Sequence, residues 1–232
     1  MQQAVEHLQK EEFTEARRAF ESVLIAKPKN LEARYNLALL LQKSGHGDQE
    51  LELYKQNMTY GWHLPTVVNL ASIHMANNRQ AEAYTLLKKA SKKFRNEATP
   101  RYLLAELDAA AKKISSADEW FKRALRADPL NGFAHIRYAR FLAKQKRYDK
   151  ALKHARRAIQ LQPACSMCLN ILGDIQVDKA FFSSAVASYQ KSLAIAPTAA
   201  TRQQLINTLH KLGEHKRAEQ MQKALDAWQK HQ

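Results

Sequence analysis

Apolar residues along this chain fall at helical spacing, and the pattern returns at a fixed interval. It is clearest between Gly132 and Pro163. Tyr138, Ala139 and Leu142 mark the buried side of one short amphipathic helix, and Ala151, Ala155 and Ala158 mark that of a second. The polar stretch from Ala143 to Asp149 supplies the turn, and Pro163, which has no N–H to donate, ends the second helix. One such interval forward, Ala151 becomes Ala185, Ala155 becomes Tyr189, Ala158 becomes Ser192 and Pro163 becomes Pro197, while Tyr138-Ala139 pairs with Leu172-Gly173. The same step backward gives Ala117, Phe121, Ala124, Pro129 and Leu104-Ala105. The sequence predicts a succession of helix pairs.

The phase can be followed along most of the chain. Up to Asn30 the match is partial: Phe13, Ala16, Phe20 and Pro28 fit, but the first helix is short. From Leu31 the pattern is full, with Tyr35, Leu37, Ala38 and Leu41 at helical spacing and Gly45 ending the helix. The partner helix is irregular. Glu50 stands where a small residue is expected, and Gly61-Trp62-His63 replace the usual end, so this pair is expected to be distorted or to present Trp62 to a ligand. Ala83, Leu87 and Ala90 restore the phase, which holds within one residue to Ala218. The last helix, about Lys216 to Lys230, is polar on much of its surface, as a terminal cap must be.

A period of about 34 residues resembles the tetratricopeptide family over essentially the whole chain. Small residues such as Ala139 and Ala151 would let paired helices approach, and bulky Phe121, Tyr148 and Phe182 would fill between pairs. The resemblance implies an all-α, right-handed superhelical solenoid of antiparallel helix pairs. It would run as a single array over 1–232, with a partial repeat at 1–30 and six full repeats at 31–63, 64–97, 98–131, 132–165, 166–198 and 199–232. Length then counts repeats rather than domains. Met1 falls where the first helix should already have begun, so a leader, an anchor or a further helix is expected upstream.

Composition adds a bias of charge. The longest apolar run, Leu37 to Leu41, is far below the ~18 residues of a membrane span, and no secretory leader is present. A cytoplasmic and a periplasmic location both stand. The net charge is +15 and unevenly placed: −1 over residues 1–87, +13 over 88–159 and +3 over 160–232. In the second helices, Lys88, Lys89 and Lys92 correspond by the repeat step to Lys122, Arg123 and Arg126, then to Arg156 and Arg157. Residues at i, i+1 and i+4 share one face, so stacked pairs would carry a basic ladder on their outer surface. It would suit an anionic partner: an acidic protein, nucleic acid, acidic polysaccharide or lipid headgroups. The alternative is simpler, since cations near helix C-termini complement the dipole.

Signals for catalysis are nearly absent. Gly45-His46-Gly47 lacks the following Lys-Ser or Lys-Thr of a phosphate loop, and the nine histidines form no metal motif. Cys165-Ser166-Met167-Cys168 is redox-capable, but no strand precedes its helix and two thiolates do not close a zinc site. A structural role is expected, as packed thiols or as a local Cys165–Cys168 disulfide. Neither enzymatic activity, metal nor cofactor is expected.

In the tetratricopeptide family the first helices line an inner groove where peptides bind. Carried onto this sequence, the groove holds Tyr102 and Glu106, then Phe133, Ile136, Arg140 and Lys144, then Met167, Asn170 and Asp174, and finally Gln203, Asn207 and Lys211. The Lys/Asn clamp of chaperone-binding members has no counterpart; Met1 and Val5 stand at the corresponding places. The expectation is a non-enzymatic scaffold or adaptor for a protein or peptide of acidic character, in a bacterial envelope or assembly complex. An anionic-polymer surface over residues 88–159 is the alternative, with nucleic acid as one such polymer.

Overall fold

A computed structural model describes residues 1–43 and 47–229, which form fourteen helices and, among the described residues, no strand. Gly45 and Lys230, expected to end helices, lie outside the described residues. The chain divides into two compact units, Met1–Leu107 and Asp108–Gln232. In the first, α1 (Gln2–Gln9) pairs with α2 (Phe13–Ala26), α3 (Leu31–Lys43) with α4 (Gly47–Tyr60), and α5 (Leu64–Ala76) with α6 (Gln80–Lys93). Helix α7 (Thr99–Ala110) carries the boundary. In the second unit, α8 (Ile114–Ala127) precedes the pairs α9 (Gly132–Lys144) and α10 (Tyr148–Leu161), α11 (Ser166–Asp178) and α12 (Phe182–Ile195), and α13 (Ala199–Leu212) and α14 (His215–Gln229). The architecture is the all-α array of helix pairs that the period predicted.

Each core sits where small residues let helices touch. Ala83, Ala117, Ala151 and Ala185 are fully buried. In the first unit Phe20 packs with Ala4, Ala16, Ala33 and Leu37. In the second, the Phe121 ring lies 5.1 Å from Tyr138 and 5.2 Å from Phe141, tying α8 to α9. Helix α14 completes that unit by burying Ala218 and Leu225 against Leu205, Ile206 and Leu209.

The contact tolerates size only by exchange. In α9 and α10, Ala139 and Ala155 are both small and buried. One repeat later the counterpart of Ala155 is Tyr189, and that of Ala139 is Gly173. A Cβ on Gly173 would lie 2.5 Å from Cε1 of the Tyr189 ring. The glycine therefore makes room for the ring, whose hydroxyl donates to Asp174 Oδ1 at 2.6 Å.

The turns inside the pairs repeat a backbone device that the sequence conceals. Glu11, Asn78, Lys112, Lys146 and Ala180 all have φ between 57° and 60°, the left-handed region, and the last four follow one another at the repeat step. Only Asn78 belongs to a type that favours this region. The second helices end differently: Lys27, Asp128, Gln162 and Ala196 each precede a proline, which drives them to extended backbone. Carbonyls left free near these ends are taken by the next first helix. Arg34 donates to the Pro28 carbonyl, and His135 Nε2 to that of Pro129 at 3.1 Å. Arg101 donates to Ser91, Phe94 and Glu97 carbonyls at 2.7, 3.1 and 2.6 Å.

The irregular pair corrects an expectation. Helix α4 is continuous, and Glu50 is buried with Oε1 unpartnered among the described residues. Burial pushes its carboxyl pKa up, against the opposing effect of the nearby Tyr54 hydroxyl. Trp62 is half-buried with its ring edge-on to Phe94 at 6.4 Å, so it packs instead of standing out for a ligand.

Two stability measurements check this account. Gly173→Ala should cost ~1–3 kcal/mol through overpacking against Tyr189; an unchanged melting curve would remove the glycine's assigned role. Ala180→Gly should stabilise the chain by about 0.5–1 kcal/mol, because relief of the left-handed strain exceeds the entropy cost of glycine. Destabilisation there would contradict the strain argument.

Candidate partner-binding surface

The first helices of the second unit present a mixed surface. On α9, Phe133 is 44% exposed, and Arg140 and Lys144 are exposed about two and three turns further on. Ile136, expected beside them, is fully buried and belongs to the core, although it neighbours Phe133 on the helix surface; Phe133 stands exposed at the helix start. On α13, Gln203, Asn207 and Lys211 are exposed, and Gln203 Nε2 donates to Asn207 Oδ1 at 3.2 Å. In the first unit, α7 places Tyr102 in the core and leaves Glu106 half-buried, so Tyr102 also departs from the expected groove.

Helix α11 puts its polar residues to another use. Asn170 Nδ2 donates to Thr201 Oγ1 at 2.7 Å, and Asp174 Oδ1 accepts from Gln204 Nε2 at 2.8 Å. These bonds stitch α11 to α13. Burial raises the Asp174 carboxyl pKa, while Tyr189 and Arg140 pull it down without prevailing. Met167 is half-buried. The sequence-based groove is thus divided: Asn170 and Asp174 hold helices together, while Phe133, Arg140, Lys144, Gln203, Asn207 and Lys211 face outward.

The basic side chains of the second helices are all exposed, but their surroundings differ. On α8, Lys122 pairs with Asp118 at 2.7 Å, and Glu119 receives Arg123 at 3.1 Å and Arg126 at 2.6 Å. Burial pushes the Asp118 carboxyl up, but hydrogen bonds from Lys122, Arg147 and Tyr138 outweigh it and hold the pKa below its ordinary value. Among the described residues, Arg156 and Arg157 on α10, and Lys88, Lys89 and Lys92 on α6, have no ion pair. The repeat step explains the difference on α10, where Leu152 and Lys153 replace Asp118 and Glu119.

Cys165 and Cys168 form a disulfide with S–S 2.09 Å, the second of the two structural options. Cys165 is also the N-cap of α11, its Sγ accepting from the Cys168 N–H at 3.1 Å. Among the described residues no three His, Cys, Asp or Glu side chains gather as a metal site. Two histidines that looked scattered in sequence meet in space. His135 Nε2 donates to the Pro129 carbonyl, so its Nδ1 accepts from His154 Nδ1–H at 2.9 Å. The His154 ring also lies 4.7 Å from Tyr138.

Tetratricopeptide-repeat family models match residues 1–56 and 132–165. No curated protein matches the chain by sequence. Among solved structures, a chain of the APC/C hetero-tetramer Cut9–Hcn1 is similar with TM-score 0.71 and 20% identity, over 89% of this chain and 41% of that one. Yeast Tom70 matches with TM-score 0.69 and 20% identity, over 94% and 48%. A tetratricopeptide-repeat protein from Parabacteroides merdae matches with TM-score 0.70 and 15% identity, over 97% and 90%. The chain spans less than half the length of the Cut9–Hcn1 and Tom70 chains. Residues 1–56 and 132–165 thus match tetratricopeptide-repeat models, and the fold of the chain is that of the tetratricopeptide-repeat structures.

The histidine pair makes stability depend on pH. Burial lowers both pKa values; His154 falls to about 4, helped by His135 and Lys153. A base with a depressed folded pKa contributes fully above its unfolded value, ~6.5, and loses that contribution as pH falls toward about 4. His154→Phe keeps a ring without the titration, so its melting temperature should fall less than that of the parent across this window. Parallel curves would show that the pair does not carry the effect.

Proposed function

We propose that the chain is a non-enzymatic scaffold or adaptor that holds a partner protein or peptide against the first helices of its second unit. The chemistry of α9 and α13 carries this reading. Neither helix contains Asp or Glu, and together they expose Phe133, Arg140, Lys144, Gln203, Asn207 and Lys211. Such a surface complements a segment bearing carboxylates, amide-binding groups and an apolar anchor. The relative in the Cut9–Hcn1 hetero-tetramer is a member of a multi-protein assembly, which supports an assembly role here. We infer a place in an assembly complex or a bacterial envelope.

A polyanion surface over residues 88–159 is the weaker reading. Three of its eight ladder cations, Lys122, Arg123 and Arg126, already hold carboxylates of their own helix. Those pairs would have to break before phosphates could replace them.

The test is a quantitative cross-linking pull-down with Phe133→Ala, Arg140→Glu and Lys144→Glu combined. Partner capture should fall at least about tenfold with the melting temperature nearly unchanged, because all three side chains lie outside the core. Capture that ignores these changes but collapses about a thousandfold between low and moderate salt would transfer the function to the polyanion surface.

A further inference from the structure

The second helices of the same unit leave an opening of their own. Between α10 and α12 lies a cleft of about 470 Å³ whose floor is α11. Leu169 and Leu172 form that floor, buried but for 6% and 9% of their surface. Arg156 stands on the α10 wall and Lys191 on the α12 wall, both exposed. No residue lining the cleft is acidic. At the base, Ser188 Oγ donates to Gln176 Oε1 at 2.7 Å.

The charges on the two walls are unmatched. Lys122, the counterpart of Arg156 on α8, is held by Asp118. At the position of Asp118, helix α10 has Leu152; four residues before Lys191, α12 has Ala187. Among the described residues neither Arg156 nor Lys191 has an ion pair, and each lacks a carboxylate one turn earlier on its own helix. The cleft therefore combines an apolar floor with a free cation on either side.

We propose that this cleft is a second docking site, distinct from the first-helix face, and that it takes an acidic amphipathic segment of a protein partner. Carboxylates of the segment meet Arg156 and Lys191, while an apolar side chain between them covers Leu169 and Leu172. Nucleic acid matches the walls, but its bases need aromatic side chains to stack on, and the lining has none. A lipid surface is flat and cannot descend between two helices to reach α11.

The probe is a fluorescein-labelled synthetic peptide of about fourteen residues, with Glu on one helical face and Leu on the other. Anisotropy titrations of the full chain should detect saturable binding. Arg156→Glu with Lys191→Glu should weaken it at least about tenfold, and Ala187→Trp, which fills the opening from an exposed position, should do the same. Replacing each Leu of the peptide with Ser should also lose about tenfold, since the floor is then uncovered. Arg140→Glu with Lys144→Glu, on the first-helix face, should change the affinity by less than about threefold. Circular dichroism establishes that each variant is folded. The proposal is overturned if the Glu/Leu peptide does not bind, or if the Arg156/Lys191 variant binds it normally. It is equally overturned if the Ser-substituted peptide, oligo(dT) or phosphatidylglycerol vesicles bind the parent chain as tightly and lose binding in that variant, because the surface is then a general polyanion site.

Discussion

A helix of thirteen or fourteen residues is marginal alone in water and must be held by packing against a neighbour. In this chain the closeness of that packing rests on buried residues with almost no side chain. Ala83, Ala117, Ala151 and Ala185 have no exposure at all. The Gly173–Tyr189 exchange shows how strictly the space is apportioned: a ring enters α12 only where α11 gives up its Cβ. Much else is adjustment around these contacts, including the left-handed residues at Glu11, Asn78, Lys112, Lys146 and Ala180 and the extended residues that end α2, α8, α10 and α12.

Stacking raises a second problem, because every junction between pairs leaves helix-end carbonyls without helical partners. The chain meets it with side chains drawn from the following first helix. Arg34, Arg101 and His135 reach back to carbonyls near the preceding helix end. These residues are consequently spoken for, although in sequence they look like the other surface cations and histidines. A basic residue of this chain can be a structural tie, half of an intrahelical ion pair, or a free charge, and the three are separated only by what lies within a few ångströms.

That distinction marks how far the sequence could be read. The helix pairs were legible because burial against a neighbour enforces apolar and small residues at fixed spacing, as at Ala151, Ala155 and Ala158. The turns were less so: Lys112, Lys146 and Ala180 adopt left-handed backbone without the glycine or asparagine that would announce it. At the surface, family positions placed Phe133 and Ile136 in one groove, but Phe133 stands exposed at the start of α9 while Ile136, its neighbour one turn on, is covered by the core. Asn170 and Asp174 looked like groove polars because their partners, Thr201 and Gln204, lie about thirty positions away on the next first helix. The histidine contact was equally hidden, since nothing in nineteen residues of separation links His135 to His154.

A repeated scaffold also changes what a local substitution can do. Because geometry recurs with every repeat, the same outward position on α8 and α10 meets similar surroundings, and the difference between them lies in the residue one turn earlier. Asp118 and Glu119 turn the cations of α8 inward upon their own helix. Leu152 and Lys153 leave those of α10 to the solvent. The first-helix face obtains its positive sign another way, by carrying no acid on α9 or α13, so that Arg140 meets, among the described residues, only the half-buried Asp174 of α11. Two surfaces of one unit thus acquire the same sign by independent means, and what distinguishes them is the material beneath the charge: hydrogen-bonding amides beside one exposed ring on the first, and a leucine floor on the second. A partner that required only negative charge could not tell them apart, so discrimination between the two must come from the apolar part of whatever binds.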